Sequence, residues 1–253
     1  MTTGARWLPL GALVLAQVGY PLTGGRVRAG LVVATVLLGF AVSVGHAART
    51  RGRRAAVVLL VATAAGGLAV EALGVHTGFP FGGYRYSAAL GPRVLGVPAV
   101  VPLAWTWMAW PAWLAATALT GRPVFRVGLA GLGLAAWDLF LDPQMVAAGY
   151  WRWRSSGAAL AGVPWTNYVS WLGVALLMMA GLAAAGGPAT RRADRAADAP
   201  MHALYLWTYL SSILAHAVFL RLPASAVAGA LGMGLVAVPL ALVLARRPRA
   251  ALT

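Results

Sequence analysis

Glu71, Asp138 and Asp142 are three of only five acidic residues in a chain of 253. Each stands towards the end of a run apolar enough to lie in lipid. A carboxyl at the centre of a bilayer costs roughly 2.5 kcal/mol or more, and less near the interface. One that survives there faces the bundle interior, pairs with a cation, or holds its proton. Asp138 and Asp142, four residues apart, share one helix face. Structural duties are open to each: Asp142 precedes Pro143 and could end a helix, while Glu71 or Asp138 could pair with Arg85, Arg93, Arg152 or Arg154. The other two acids, Asp194 and Asp198, fall in ATRRADRAADAP, which reads as a solvated loop.

Other polar side chains are spaced so that they could assist. His202, Tyr205, Tyr209, Ser212 and His216 recur every three or four residues and give one helix a polar stripe. Such a stripe suits a proton relay, a polar wall to a site, or hydrogen bonds between helices. His46 lies beside an arginine cluster and reads as interfacial. Asn167 opens a helix just after Pro164, where it could cap the helix or hold a water. The tryptophans at 105, 107, 110, 113, 137, 151, 153, 165 and 171 fit, for the most part, an aromatic belt at the membrane surface. Trp151 and Trp153 with Arg152 and Arg154, and Tyr84 and Tyr86 about Arg85, are better placed for a site. Aromatic faces stabilise a cation in a dry pocket.

Much chemistry is excluded. Every basic residue is arginine, so no lysine is present to form a Schiff base. There is no cysteine, which removes thiolates, disulfides and cysteine-held metals. No pair of histidines is spaced for haem and no phosphate-binding loop occurs, so neither a metal nor a cofactor is expected. What remains suits acid–base chemistry on an apolar substrate. A protonated carboxyl can give its proton to an alkene, aromatic rings can shelter the carbocation, and a second carboxylate can orient the water that captures it.

The elements that must position these groups are membrane helices. The chain is 60% hydrophobic and 10% charged, well below the share of charge in soluble domains. Spans of about 20 residues fit near 7–22, 28–48, 55–75, 94–119, 124–142, 165–187, 201–221 and 223–245. This predicts an all-α, polytopic membrane bundle of eight helices, or seven, forming a single integral-membrane domain over 1–253. The first span lacks a cleavage site and reads as a retained helix. The net charge of +15 serves topology and not nucleic acid, because the arginines sit in short connections. Thirteen arginines fall on one side and seven on the other, placing both termini in the cytoplasm of a bacterial cell. The long connections 76–93 and 143–164 then lie together on the opposite face.

The two connections echo one another. At an offset of 66, Tyr84 matches Tyr150, Gly91 matches Gly157, GVP at 96–98 matches GVP at 162–164, and Trp105 matches Trp171. Two parallel repeats of helix, aromatic loop and helix, with a shared site at their interface, are the expectation.

The strings EALGVHTGFPFGGYRYSAALGPRVLGVPAVVPLAW and DLFLDPQMVAAGYWRWRSSGAALAGVPWTNYVSW carry a resemblance. Over a core of about 65–175 the chain resembles the CruF-type carotenoid biosynthesis family, multi-spanning carotenoid hydratases. The resemblance implies addition of water to the terminal double bond of an acyclic ψ-end group, leaving a tertiary hydroxyl on a C40 or C50 carotenoid. It also implies membrane lipid as surroundings and association with other carotenoid-pathway membrane enzymes. Within that reaction, Asp138 or Glu71 is the expected proton donor. Asp142, with Asn167 or His76, is expected to activate water. Tyr84, Arg85, Tyr86, Trp105, Trp151, Trp153 and His216 are expected to form the substrate pocket. Two rivals stand beside it. DLFLD could hold magnesium in a prenyl transferase of the UbiA type or a lycopene-elongating enzyme, although a second aspartate-rich motif is missing. A carotenoid- or lipid-binding or transport protein could use the same repeat.

Overall fold

The computed structural model describes residues 7–154, 158–185 and 194–246. In chain order the elements are α1 (Leu8–Gly19), α2 (Gly25–Arg51), α3 (Arg53–Leu59), α4 (Gly66–Thr77), β1 (Tyr84–Tyr86), β2 (Arg93–Val94), β3 (Val97–Pro98), α5 (Val100–Leu119), α6 (Pro123–Ala135), α7 (Asp138–Ala147), β4 (Trp151–Trp153), β5 (Ala159–Leu160), β6 (Val163–Pro164), α8 (Trp165–Ala184), α9 (Arg195–Leu214) and α10 (Pro223–Ala245). A π-helical turn, Leu60–Ala65, joins α3 to α4, and another, Ala215–Phe219, extends α9. With α3–α4 and α6–α7 each running as one rod, eight rods make an all-α membrane bundle.

Five of the rods are long and apolar enough to cross a membrane: Gly25–Arg51, Arg53–Thr77, Pro123–Ala147, Trp165–Ala184 and Pro223–Ala245. The other three differ for physical reasons. At 1.5 Å per residue, the 12-residue α1 is about 18 Å long, short of the roughly 30 Å hydrocarbon layer. Helix α5 is buried along nearly its whole length by α2, α6, α9 and α10, so neighbours and not lipid surround it. Helix α9 carries the polar stripe.

Small residues let the rods approach closely, as packing in lipid requires. Gly39 on α2 lies directly against the Trp107 ring of α5; a Cβ there would come within 2.5 Å of it. Prolines open α6 and α10, where a missing N–H is harmless.

The ends opposite the aromatic loops are locked by charge. Asp198 does not lie in a solvated loop. It is fully buried in the first turn of α9, and Arg51 of α2 donates to both its oxygens, at 2.8 and 2.7 Å. The Asp194 side chain caps α9 by accepting from Ala196 N and Ala197 N. His46 is likewise buried, not interfacial. Its Nδ1 accepts from Trp110 Nε1 at 3.0 Å, which leaves Nε2 to donate to Ala197 O at 2.8 Å.

The repeat is present in three dimensions. Val94 and Val97 close a tight hairpin through Leu95 and Gly96, whose φ values are 51° and 83°. Leu160 and Val163 close its copy through Ala161 and Gly162, at 51° and 83°. Both turns are left-handed at their two central residues, as a two-residue hairpin loop demands. Trp105 and Trp171 stack face to face, 3.7 Å apart and 14° from parallel. Strands β1 and β4 pair antiparallel, so the two connections do lie together at one end of the bundle. Gly157, the partner of Gly91 in the echo, lies outside the described residues, as do Arg6, Arg191, Arg192, Arg247 and Arg249.

Breaking a buried ion pair by removing one partner costs about 3–5 kcal/mol. Asp198→Asn should therefore lower the thermal unfolding midpoint in detergent sharply. Arg51→Met with Asp198→Leu should recover most of the loss, and equal damage in single and double variants would dismiss the pair as the lock.

Candidate active site

Between the roof made by the two connections and the rods beneath lies a cavity of about 290 Å³. That is at the lower end for a ligand pocket, enough for one end of a long molecule. Glu71 of α4 and Asp142 of α7 line it, with Asn167 and Trp171 of α8.

Glu71 is held by donors. Tyr84 and Tyr86 both donate their hydroxyls to its Oε2, at 2.6 and 2.7 Å, and Trp105 Nε1 donates to Oε1 at 3.3 Å. Burial first, and then the neighbouring Glu71 carboxyl, push both tyrosine hydroxyls far above their ordinary range, so they stay protonated as donors. The E–x₂–G spacing has a steric cause. A Cβ on Gly74 would come within 2.8 Å of the Tyr84 hydroxyl and 2.9 Å of Phe81, so only glycine lets the loop fold down onto Glu71.

Asp138 and Asp142 form a dyad. One Asn167 amide nitrogen donates to Asp138 Oδ2 at 2.9 Å and to Asp142 Oδ2 at 2.5 Å. Asp138 is fully buried behind the cavity wall, and Asp142 faces the cavity. The Trp151 indole N–H is directed at Asp142 without closing a hydrogen bond. An N–H donor seated between the two carboxyl groups has the wrong polarity for a cation-binding pair.

The roof follows from strand periodicity. Successive side chains of a strand point to opposite faces, and the register pairs Tyr84 with Trp153 and Tyr86 with Trp151. All four rings therefore face the cavity, with centroids 5.6 Å apart for Tyr84–Trp153 and 5.4 Å for Tyr86–Trp151. Arg85 is paired with Arg152 on the outer face, exposed, and does not line the cavity as expected. His76 also stays out. Five residues after Glu71, it sits about 140° round the helix and is exposed. His216 does not reach the cavity. Its Nδ1 meets Ser225 at 2.8 Å and its Nε2 lies 3.3 Å from Oε1 of Gln144, the residue that lines the cavity in front of it.

The polar stripe of α9 mostly joins helices. Tyr205 donates to Gly133 O, Tyr209 to Ala230 O, and His202 meets Leu114 O. Only Ser212 of the stripe lines the cavity, beside Thr208 and Ser211. Three tryptophans assigned to the belt, Trp107, Trp137 and Trp171, are cavity walls instead. Apart from Ser212, the residues that α1, α2 and α9 contribute had no local signal, because nothing in their spacing says which rod they meet. Four of the lining residues, Val18 and Leu22 near the end of α1 and Leu214 and Phe219 of α9, are also exposed. The cavity thus opens sideways, between α1 and α9, onto the apolar surface.

The model of the family described as carotenoid biosynthesis protein matches residues 30–241. The chain belongs to this family. Both the acid-bearing rods and the aromatic roof of this carotenoid biosynthesis protein fall inside the matched range. The chain is also similar to a bisanhydrobacterioruberin hydratase of Haloarcula japonica, 36% identical over 124 residues. That match covers 47% of this chain and 42% of the relative, so it spans under half of either. No solved structure matches the chain.

Removing a donor from Glu71 should be visible without any turnover. Tyr84→Phe and Tyr86→Phe should each move the Glu71 carboxyl band in the infrared difference spectrum, assigned by its loss in Glu71→Gln. An unmoved band in both would mean the phenols do not hold this carboxyl in the membrane.

Proposed function

We propose that the protein is a carotenoid hydratase, adding water to the terminal double bond of an acyclic ψ-end carotenoid of C40 or C50 length. The observation that carries the reading is one aromatic cavity, open to the apolar surface, with Glu71 and the Asp138–Asp142 dyad at one end. The name of the Haloarcula relative supports the same reaction class. The apolar substrate enters from the bilayer through the mouth between α1 and α9 and leaves its chain in lipid. Both termini face the cytoplasm of a bacterial cell, so the buried carboxyls lie towards the outer end of the bundle, within reach of the single water the reaction consumes. Other membrane enzymes of the same pathway would supply and remove the pigment.

The geometry supports one division of roles. Two carboxylates in contact cannot both be ionised in a dry site, so the dyad holds one proton. In place of the donor expected from the sequence, Asp138 or Glu71, it is Asp142, the dyad member facing the cavity, that gives that proton to the less substituted alkene carbon, and the π electrons form the new C–H bond. The tertiary cation that results lies under Tyr84, Tyr86, Trp151 and Trp153, whose ring faces stabilise it. Glu71, which accepts three donated hydrogen bonds, is the fixed anion. A water forms the C–O bond and passes its proton to Glu71, and transfer from Glu71 back to Asp142 resets the site. Asp138 and Asn167 position the donor.

In cells accumulating lycopene or a C50 analogue, the chain should convert the pigment to a product heavier by one water per modified end. Glu71→Gln and Asp142→Asn should each slow this by about a hundredfold or more, the usual range for a general acid or base. Asn167→Leu should slow it by roughly tenfold or more. Unchanged pigment with the wild-type chain would sink the reading, and wild-type rates in both carboxyl variants would sink the assignment.

A further inference from the structure

We propose that Thr35, Trp107 and Thr208 make a second polar subsite of the cavity, which binds one neutral hydroxyl-type oxygen. That oxygen belongs to a water or to an alcohol carried by the substrate. The three side chains come from three rods, α2, α5 and α9, and all line the cavity. Each is more than nine-tenths buried, at 9%, 4% and 1% exposure. The Thr35 Oγ1, Trp107 Nε1 and Thr208 Oγ1 atoms have no hydrogen-bond partner among the described residues.

Their orientation is the telling feature. A threonine in a membrane helix ordinarily turns its hydroxyl back to the carbonyl four residues before it. Thr63 does so to Leu59 O at 2.7 Å, and Thr117 to Trp113 O at 2.8 Å. Thr35 and Thr208 forgo that bond, and a buried hydroxyl left unpaired costs about 1–3 kcal/mol. Groups that forgo a bond so easily made are kept for a partner that comes and goes.

The partner's chemistry follows from the donors. An indole N–H only donates, and threonine hydroxyls donate or accept. Together they fit an oxygen with lone pairs and a hydrogen of its own. None of the three is charged, so a phosphate or a carboxylate would find no counter-ion there. Thr35 sits deeper than the carboxyls that line the cavity. Thr35 lies ten residues from the start of α2, roughly 15 Å in, while Asp142 lies five residues from the end of α7, roughly 8 Å in. Those two helix ends are on the same side of the bundle, since the rods alternate in direction.

The activity arm of the test rests on the hydratase reading; the binding and stability arms do not. Thr35→Val with Thr208→Val keeps shape and removes both hydroxyls, Trp107→Phe removes the N–H, and Thr35→Ser with Thr208→Ser restores the hydroxyls. Each purified variant is assayed on lycopene and on 1-hydroxylycopene, and its thermal midpoint and retained pigment are measured. The double valine variant should lose about tenfold in kcat/KM, with a thermal midpoint at or above wild type, and the serine pair should recover most of the rate. A loss confined to 1-hydroxylycopene assigns the oxygen to the substrate, and an equal loss on both assigns it to water. Unchanged rates on both substrates, or a rate loss that tracks a lowered midpoint, would overturn the proposal. If the wild-type chain hydrates neither pigment, the hydratase reading fails and retention decides. A reduced ratio of bound 1-hydroxylycopene to lycopene in the double variant upholds the subsite, and an unchanged ratio dismisses it.

Discussion

Placing carboxyl groups where water is scarce is the constraint from which the rest of this structure follows. An unpaired carboxylate there is too costly to keep, so each acid must bring its own donors or its own proton. Tyr84, Tyr86 and Trp105 answer for Glu71, and Asn167 answers for the aspartate dyad. Those donors come from the loop, from α5 and from α8, so satisfying the acids draws the whole roof and both hairpins together. At the far end of the bundle, Asp198 answers the same demand with Arg51, and there the result is a lock between α2 and α9.

The internal repeat accounts for how one small chain roofs its cavity. The two hairpin turns share their left-handed residues, and the corresponding tryptophans stack on one another. Yet the halves have diverged where the chemistry sits. The position equivalent to Glu71 carries Trp137, and those equivalent to Asp138 and Asp142 carry Ala72 and His76. One half thus supplies the carboxyl held by phenol and indole donors, and the other the two carboxyls that share Asn167.

How much of this could be read from the chain depends on the range of the interaction involved. The eight rods follow from apolar runs, and the shared loop face follows from the echo at an offset of 66. Arg85 misled because a strand's parity, invisible in composition, turns it outward beside Arg152 while its neighbours Tyr84 and Tyr86 turn in. His76 misled because five helical residues carry it to the other side of α4. Asp198 misled because a charge-rich segment looks solvated until its partner, 147 residues earlier in the chain, is brought against it.

What the sequence alone determined was therefore whatever depends on neighbours within one element or on its repetition: the all-α membrane character, the acids worth suspecting and the pairing of the two aromatic loops. The tertiary structure alone decided which suspects meet. It set Asn167 between the two aspartates, turned Trp107, Trp137 and Trp171 from belt into wall, and gave α1, α2 and α9 their share of the cavity. The reason is that hydropathy and spacing act along a helix, whereas the rotation of one rod against another is settled by packing across the bundle, where glycines such as Gly39 let a tryptophan in.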